Sequence, residues 1–277
     1  MDLMQPIPFW KMNGAGNDFI VIDHSKPLIP VERLAEFARL VCRRKFSVGA
    51  DGLFLLEPSQ IADFRWRFFN ADGSEAEMCG NGARCVARFA YMNGLAAARM
   101  RFETLAGIID ASVADTQVTI RMPAPHTLQL DLEIETAGRR MTGHSVNTGV
   151  PHLVVFVDDL ETVDVDGQGR ELRCHPRFAP AGTNVNFVDP SGDALAIRTY
   201  ERGVEAETMA CGTGATAAAV VAVAKGLASS PVRLRTRGGV ELGVQFSGDG
   251  ASAEHVLLRG PAHLVYRGEL TAEALVE

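Results

Sequence analysis

The chain has little of what ties a protein to nucleic acid: its formal net charge is −7, so no basic excess meets a phosphate backbone. Long apolar runs are also missing. The longest, Ala215 to Ala224, is too short to span a bilayer, and no membrane association is expected. The start, MDLMQPIPFW, has neither a basic n-region nor an apolar core, so the expected location is cytoplasmic. The five cysteines, at 42, 79, 85, 174 and 211, form no CxxC pair. That spread fits free thiols in a reducing compartment rather than a disulfide framework. No Cys/His cluster has ligand spacing, so no metal is expected. Gly14 and Gly16 of GAGND imitate a dinucleotide loop, but the third glycine and the preceding strand are lacking, which argues against NAD. A pyridoxal phosphate signature and low-complexity segments are absent as well, and the expectation is an enzyme or binding protein without cofactor.

What the chain does have, it has twice. Residues 78–95 read MCGNGARCVARFAYMNGL and residues 210–227 read ACGTGATAAAVVAVAKGL. Cys79, Gly80, Gly82, Ala83, Ala87, Gly94 and Leu95 are matched by Cys211, Gly212, Gly214, Ala215, Ala219, Gly226 and Leu227, 132 residues on. At the same offset, Phe46–Gly52 (FSVGADG) lines up with Phe178–Asn184 (FAPAGTN). An aromatic-led segment precedes each cysteine, Phe69-Asn70-Ala71-Asp72-Gly73 and Tyr200-Glu201-Arg202-Gly203, and a fainter match links 13–19 with 148–154. Matches in the same order argue for internal duplication of about half the chain. The period is far too long for a solenoid, so the units are whole domains.

Coarse periodicity gives each half its style. FIVID, GLFLLE (52–57) and 64–70 read as strands, and Val31 to Arg43 has a helical period. The Cys79 helix ends at its natural stop, Gly94, and three short strands follow at 101–104, 108–113 and 117–122. MPAPH, 122–126, is the linker candidate. Beyond it come a strand at 153–157, an acidic turn at Asp158-Asp159, strands near 184–188 and 194–200, the Cys211 helix, and strands near 232–237, 240–246 and 255–259. His263 to Tyr266 is read as crossing back to the first domain. Many short strands with one principal helix per half predict an α+β unit used twice. The expected division is 1–124 plus 265–277 and 125–264.

A thiol at a helix N-terminus has its pKa lowered by unpaired amides and the helix dipole. The Gly-x-Gly after each cysteine lets backbone approach a ligand, and the same amides can hold a carboxylate. Cys42, Cys85 and Cys174 lack that context and read as small buried hydrophobes. A single activated cysteine is usually a nucleophile. Two equivalent thiols instead fit proton removal on one face of a carbon and return on the other, in a site built between the two halves.

The segments KMNGAGNDFIVID, GADGL, FNADGSEAEMCGNGARC, PHLVVFVDD, GTNVNFV, YERGVEAETMACGTGA and GLAS, in this order over nearly the whole chain, resemble the diaminopimelate epimerase family. In proline racemase relatives the first thiol typically sits in a CGH context, and phenazine-biosynthesis relatives lack the cysteine pair. The resemblance implies two pseudo-symmetric domains, each a curved, mostly antiparallel, barrel-like sheet around a central helix. It implies interconversion of LL- and meso-diaminopimelate in lysine and peptidoglycan-precursor synthesis, without cofactor. Carried over residue by residue, it makes Cys79 and Cys211 the acid/base pair. Gly80, Asn81, Gly212 and Thr213 would hold the α-carboxylate, Arg202 with Asn13, Asn70 and Asn184 the distal carboxylate, and Glu201 the distal ammonium. His152 would support the cysteines. Two thiols facing one small carbon are close enough to be bridged with modest closure, so oxidation joining Cys79 to Cys211 is expected to inactivate the enzyme.

Bland readings stand beside these. Asn13 and Asn70 lie in Gly-rich turns where Asn is common for backbone reasons, Glu201-Arg202 could be a solvated edge pair, and His152 after Pro151 an ordinary turn histidine. One departure is plain: the family often has Asn-Pro-His where this chain has Val150-Pro151-His152, leaving Asn147 or water to compensate at the distal end. The partner expected is a small molecule, with homodimerisation open. Rival readings are a proline, hydroxyproline or histidine racemase, a thiol redox protein, and a binding protein that kept the fold.

Overall fold

The computed structural model describes residues 5–136 and 138–276. In chain order its strands are β1 Ile7–Gly14, β2 Asn17–Asp23, β3 Gly52–Glu57, β4 Phe64–Asn70, β5 Arg99–Thr104, β6 Gly107–Ala114, β7 Gln117–Arg121, β8 His126–Thr136, β9 Arg139–Asn147, β10 Pro151–Phe156, β11 Asn184–Asp189, β12 Leu195–Glu201, β13 Ala206–Thr208, β14 Val232–Arg235, β15 Glu241–Ser247, β16 Glu254–Pro261 and β17 His263–Leu270. The helices are α1 Leu34–Val41, α2 Gly80–Met92, α3 Val165–Arg173 and α4 Gly212–Ala224. Contacts divide the chain into two compact units: one runs to Ile120 and resumes at Pro261, the other is Arg121–Gly260. The sequence reading set these divisions at 124/125 and 264/265.

Within the first unit the strands pair in the order β17-β1-β2-β3-β4-β5-β6-β7. Within the second they pair as β8-β9-β10-β11-β12-β14-β15-β16. The two lists agree pair by pair in direction: only β2–β3 and β4–β5 are parallel in the first, only β10–β11 and β12–β14 in the second. A parallel pair needs a crossover, and helices supply it: α1 and α2 in the first unit, α3 and α4 in the second. Register makes the repeat exact to the residue. Phe19 faces Gly52 where His152 faces Asn184, and Leu53 faces Phe69 where Val185 faces Tyr200. Gly52 is therefore equivalent to Asn184, and Phe69 to Tyr200.

The central strands are buried on both faces, as strands covered by helices must be. In the first unit Ile20, Ile22, Leu53 and Leu55 pack with Phe37 and Leu40 of α1. The alternate residues Phe19 and Phe54 turn the other way, into an aromatic cluster in which the Phe54 ring stacks on Phe68 at 4.4 Å. In the second unit Leu153, Val155, Val185, Phe187 and Tyr200 pack with Leu172 of α3. α2 touches β1, β2, β3 and, from the far side of the strand order, β6; α4 touches β9 to β12, β14 and β15. Each unit is thus an open, curled sheet wrapped on one helix, an α+β fold. That enclosure explains α4, GTGATAAAVVAVA, which carries small apolar residues on every side and is buried along nearly its whole length.

Both wrapped helices have the same ends. Cys79 and Cys211 are the N-caps, with extended backbone and the sulfur accepting from the amide three residues on. At the other end Gly94 and Gly226 have φ of 70° and 69°, one residue past the cap. Leu95 N–H donates to the Ala90 carbonyl and Leu227 N–H to the Ala222 carbonyl. This is the Schellman closure, and it explains why the echo ends in Gly-Leu. Two pieces of the second unit differ from the sequence reading. β8 and β9 follow the linker candidate 122–126 on ground that the sequence reading left unassigned, and α3 stands where no helix was expected. Among the described residues no helix is long and apolar enough to cross a membrane.

Gly82 sits where α2 meets β3: an added Cβ would lie 2.2 Å from the Phe54 ring, which the stack on Phe68 holds in place. Gly82→Ala is expected to cost about 1–3 kcal/mol by overpacking, read as a lower urea midpoint with unchanged slope. An unchanged midpoint would mean that Phe54 yields freely.

Candidate active site

The first cysteine turn is the start of α2. The Gly82 amide donates to Cys79 Sγ at 3.3 Å. Cys79 is half-buried. An α-helix leaves its first amides without intrahelical acceptors, so this turn presents N–H groups of Gly80 and Asn81 beside a sulfur. Asn81 was expected to place its side chain on a carboxylate. That side chain is instead buried, its Nδ2 donating to Asn17 Oδ1 at 2.7 Å and its Oδ1 accepting from Arg84 Nη2 at 2.7 Å. Asn17 Nδ2 in turn donates to Asp51 Oδ2 at 3.0 Å. A charged cluster follows: Arg44 binds both Asp18 and Asp51, and Lys11 Nζ lies 2.7 Å from Asp18 Oδ2. Burial alone would raise the Asp18 pKa; hydrogen bonds and charge from Arg44 and Lys11 outweigh it and hold the carboxyl below its ordinary value.

Asn13 and Asn70 occupy turns. Asn13 Oδ1 accepts from Gly16 N–H at 3.3 Å across the β1–β2 hairpin, whose Ala15 and Gly16 both have positive φ. That is a two-residue hairpin, not a phosphate loop, since no helix follows. Asn70 is exposed and donates to Ser74 Oγ at 3.1 Å.

The second cysteine turn is the start of α4. The Gly214 amide donates to Cys211 Sγ at 3.4 Å, and Thr213 Oγ1 lies 3.4 Å from the same sulfur. The Thr213 carbonyl accepts from Thr148 Oγ1 at 3.0 Å. Glu201, expected at a distal ammonium, has its carboxylate on Thr208 Oγ1 at 2.5 Å and on the Cys211 thiol. Burial raises the Glu201 pKa, and the bonds from Thr208 and Cys211 offset only part of that rise. Cys211 is pushed up too, first by burial and then by the Glu201 charge. Burial and the neighbouring carboxylate thus both favour the protonated thiol of Cys211.

Asn184 is buried and bridges two loops, donating from Nδ2 to the Pro151 carbonyl at 3.0 Å and accepting from Arg202 N–H at 2.9 Å. The Arg202 guanidinium meets only the Ala181 carbonyl, at 3.3 Å, and no carboxylate among the described residues. Beside Val150, the Asn147 side chain is turned back, its Oδ1 accepting from Gly149 N–H at 2.9 Å.

His152 is 1% exposed. Asn186 Nδ2 donates to the Leu153 carbonyl and to His152 Nδ1, while Asn186 Oδ1 accepts from Thr199. An amide nitrogen can only donate, so Nδ1 accepts and the ring proton is on Nε2. That Nε2 is buried without a hydrogen-bond partner among the described residues. Burial, then the nearby Arg202 charge, drives the His152 pKa down to about 3. The imidazole is neutral at neutral pH.

Sequence reading passed over Asn17, Asp51, Arg84, Asn186 and Thr208. A signal existed for two of them. Asn184 and Asn186 alternate in an otherwise apolar strand, which puts two amides on one face. Arg84 is a long cation amid small residues of a helix that must be enclosed.

Comparison with known proteins bears on family and fold. The sequence model of the family described as diaminopimelate epimerase matches residues 9–127 and 144–265. A diaminopimelate epimerase of Aquifex aeolicus is 47% identical over 96% of this chain and 99% of its own. One of Archaeoglobus fulgidus is 43% identical over 97% of this chain and 98% of its own. Among solved structures, a PhzF-family phenazine biosynthesis protein of Bacillus anthracis superposes with a TM-score of 0.73 at 16% identity, over 96% of this chain and 99% of that one. A hydroxyproline epimerase of Agrobacterium vitis does so at 0.68 and 20% identity, over 99% and 94%. These two distant likenesses speak for the fold alone. The near-complete match at over 40% identity does more: the chain belongs to the diaminopimelate epimerase family.

Proposed function

We propose that the protein converts LL-2,6-diaminopimelate to the meso form by two-base proton transfer at one α-carbon, with Cys79 and Cys211 as the two bases. The observation that carries this is the pair of helices, each N-capped by a cysteine and opened by Gly-x-Gly. In one direction the Cys79 thiolate takes the α-proton and the Cys211 thiol gives its own to the opposite face; in the other the roles exchange. The electron pair left on carbon passes into the α-carboxylate, and amides of the two first turns, at Gly80, Asn81, Gly212 and Thr213, stabilise the charge that develops there. No redox step occurs and no group leaves.

Glu201 serves Cys211 rather than the distal ammonium. Its bond to the thiol keeps Cys211 protonated when acid is needed and gives the proton a place to go when Cys211 must become the base. Arg202, with its fork free of carboxylates, takes the distal carboxylate, and Asn184 holds the Arg202 backbone in place. Asn13 and Asn70 shape the turns that face the same substrate. Val150 offers no polar atom where the family often has asparagine, so distal recognition rests more heavily on Arg202 here.

His152 supports the site as a neutral donor. An imidazole that stays neutral when buried, but charges near pH 6.5 when unfolded, makes the unfolded state bind more protons between those values. Stability is then full above about pH 6.5 and falls as pH drops toward the folded value. His152→Gln should remove this slope: the native protein is expected to lose about 2 kcal/mol more than the variant between pH 6.5 and pH 5 in urea titrations. Parallel losses in the two proteins would show that His152 is charged in the fold.

The function is tested by incubating reduced protein with LL-diaminopimelate in D₂O. Appearance of the meso form with deuterium at one α-carbon is expected, and its loss in Cys79→Ala and in Cys211→Ala. Turnover surviving in either variant would overturn the two-base reading. No turnover of diaminopimelate by the native protein would overturn the substrate, and proline-type amino acids would be assayed next.

A further inference from the structure

Among the described residues the largest fully buried side chain is a cation. Arg84, one turn into α2, is 0% exposed, and its three hydrogen bonds go to neutral oxygens: Asn81 Oδ1 at 2.7 Å, the Gly80 carbonyl at 3.4 Å and the Pro261 carbonyl at 3.4 Å. No carboxylate meets it among the described residues. A buried guanidinium without a counter-ion is costly, and it cannot escape by losing its proton. The other charged groups on elements packed against α2 are engaged elsewhere or exposed: Lys11 with Asp18, Glu57 with Arg65, Asp110 with Arg101, and Asp23 at the exposed end of β2. Cys85, the next residue, is itself buried, and its thiol is pushed up to about 12, so it stays neutral. Arg88 points away, to the carbonyls of Asp115 and Ala262. Through its bond to the Gly80 carbonyl the guanidinium stands at the first turn of the helix that Cys79 caps, and a negative charge on Cys79 acts on it, as would one on Cys85.

Geometry adds a second role. Arg84 donates to Asn81, Asn81 donates to Asn17, and Asn17 donates to Asp51. A guanidinium only donates and a carboxylate only accepts. Flipping either amide between them would set donor against donor and acceptor against acceptor. The orientation of both asparagines, and with it the first turn of α2, is therefore fixed from its two ends.

We propose that Arg84 is the positioning residue of the first half-site: its buried guanidinium is the fixed counter-charge of a Cys79 thiolate and, through Asn81, the pin that holds the anion-binding turn. The proposal deepens the two-base reading, resting on Cys79 as a base, but its test needs no turnover. Reduced protein is alkylated with iodoacetamide from about pH 5 to pH 10, and the peptides carrying Cys79 and Cys211 are quantified separately by mass spectrometry. In the native protein Cys79 should react with a midpoint below the ordinary thiol value of about 8.5. Arg84→Met should raise that midpoint by about one unit or more, slowing Cys79 alkylation at pH 7 roughly tenfold, while Cys211 is unchanged. Arg84→Lys keeps the charge without the fork, so it should keep most of the native midpoint.

A native Cys79 midpoint at or above the ordinary value overturns the proposal, whatever the variants do. So does a folded Arg84→Met protein with the native midpoint. If Arg84→Met does not fold, Arg84→Lys decides: a midpoint moved to that of an ordinary thiol overturns the counter-charge role, and one that stays low sustains it. A protein that fails the diaminopimelate test in D₂O but shows these midpoints loses its substrate and keeps its Arg84. One that turns over diaminopimelate with an unshifted Arg84→Met midpoint keeps its function and loses this role.

Discussion

Everything at the two half-sites depends on how closely a helix start is pressed against the strand beneath it. A Cβ on Gly82 would lie 2.2 Å from the Phe54 ring, and one on Gly214 would lie 2.3 Å from Asn186 Oδ1. Only glycine permits that approach at the third position of the helix. The approach lets the same amide reach back to the cysteine sulfur, so backbone, thiol and strand are fixed together. The remaining demands follow. The second helix, touched on nearly every side, is lined with small apolar residues, and both helices stop sharply at Gly94 and Gly226.

Upon this shared scaffold the two halves diverge electrically. Phe54 and Asn186 are equivalent by register, as are Phe19 and His152. Where the first unit supports its helix on stacked aromatic rings, the second supports it on a buried amide–imidazole–hydroxyl network. The charged neighbours differ in sign as well. The first helix carries the buried Arg84 guanidinium, and the second has the Glu201 carboxylate beside its capping thiol. A cation favours a thiolate and a carboxylate favours a thiol, so under the two-base proposal the first helix end suits a base and the second an acid.

Much of this was legible in the sequence because duplication leaves marks at constant spacing. The CGxG helices, their Gly-Leu stops and the alignment of 46–52 with 178–184 all reappear as equivalent positions in the two units. What escaped has physical reasons. β8, HTLQLDLEIET, alternates strictly, and its bulges at 126–132 and an exposed outer face disguise it as a polar connection. α3, VDGQGRELR, has two glycines and a polar face; its helix is made by the Asp164 cap and by Gly169, which lies against the Tyr200 ring. Side-chain direction escaped too. Asn81 and Glu201 were read as reaching out to a ligand, yet one is drawn inward by Asn17 and Arg84 and the other by Thr208. Those partners lie 64, 3 and 7 residues away, and no local pattern names the first.

The divergence is what two-base chemistry needs. A reaction that takes a proton from one face and supplies another to the opposite face must start with its two sulfurs in opposite protonation states. Two identical sulfurs with no interaction between them would titrate together, and the productive singly protonated state would be at best half of the population. Carrying both copies in one chain lets each acquire its own neighbour, a guanidinium in the first and a carboxylate in the second, without disturbing the glycine contacts that both copies share. On the two-base proposal, the geometry repeated in the two units makes the cysteines alike, and the unlike charges beside them are what would set which sulfur holds the proton at rest.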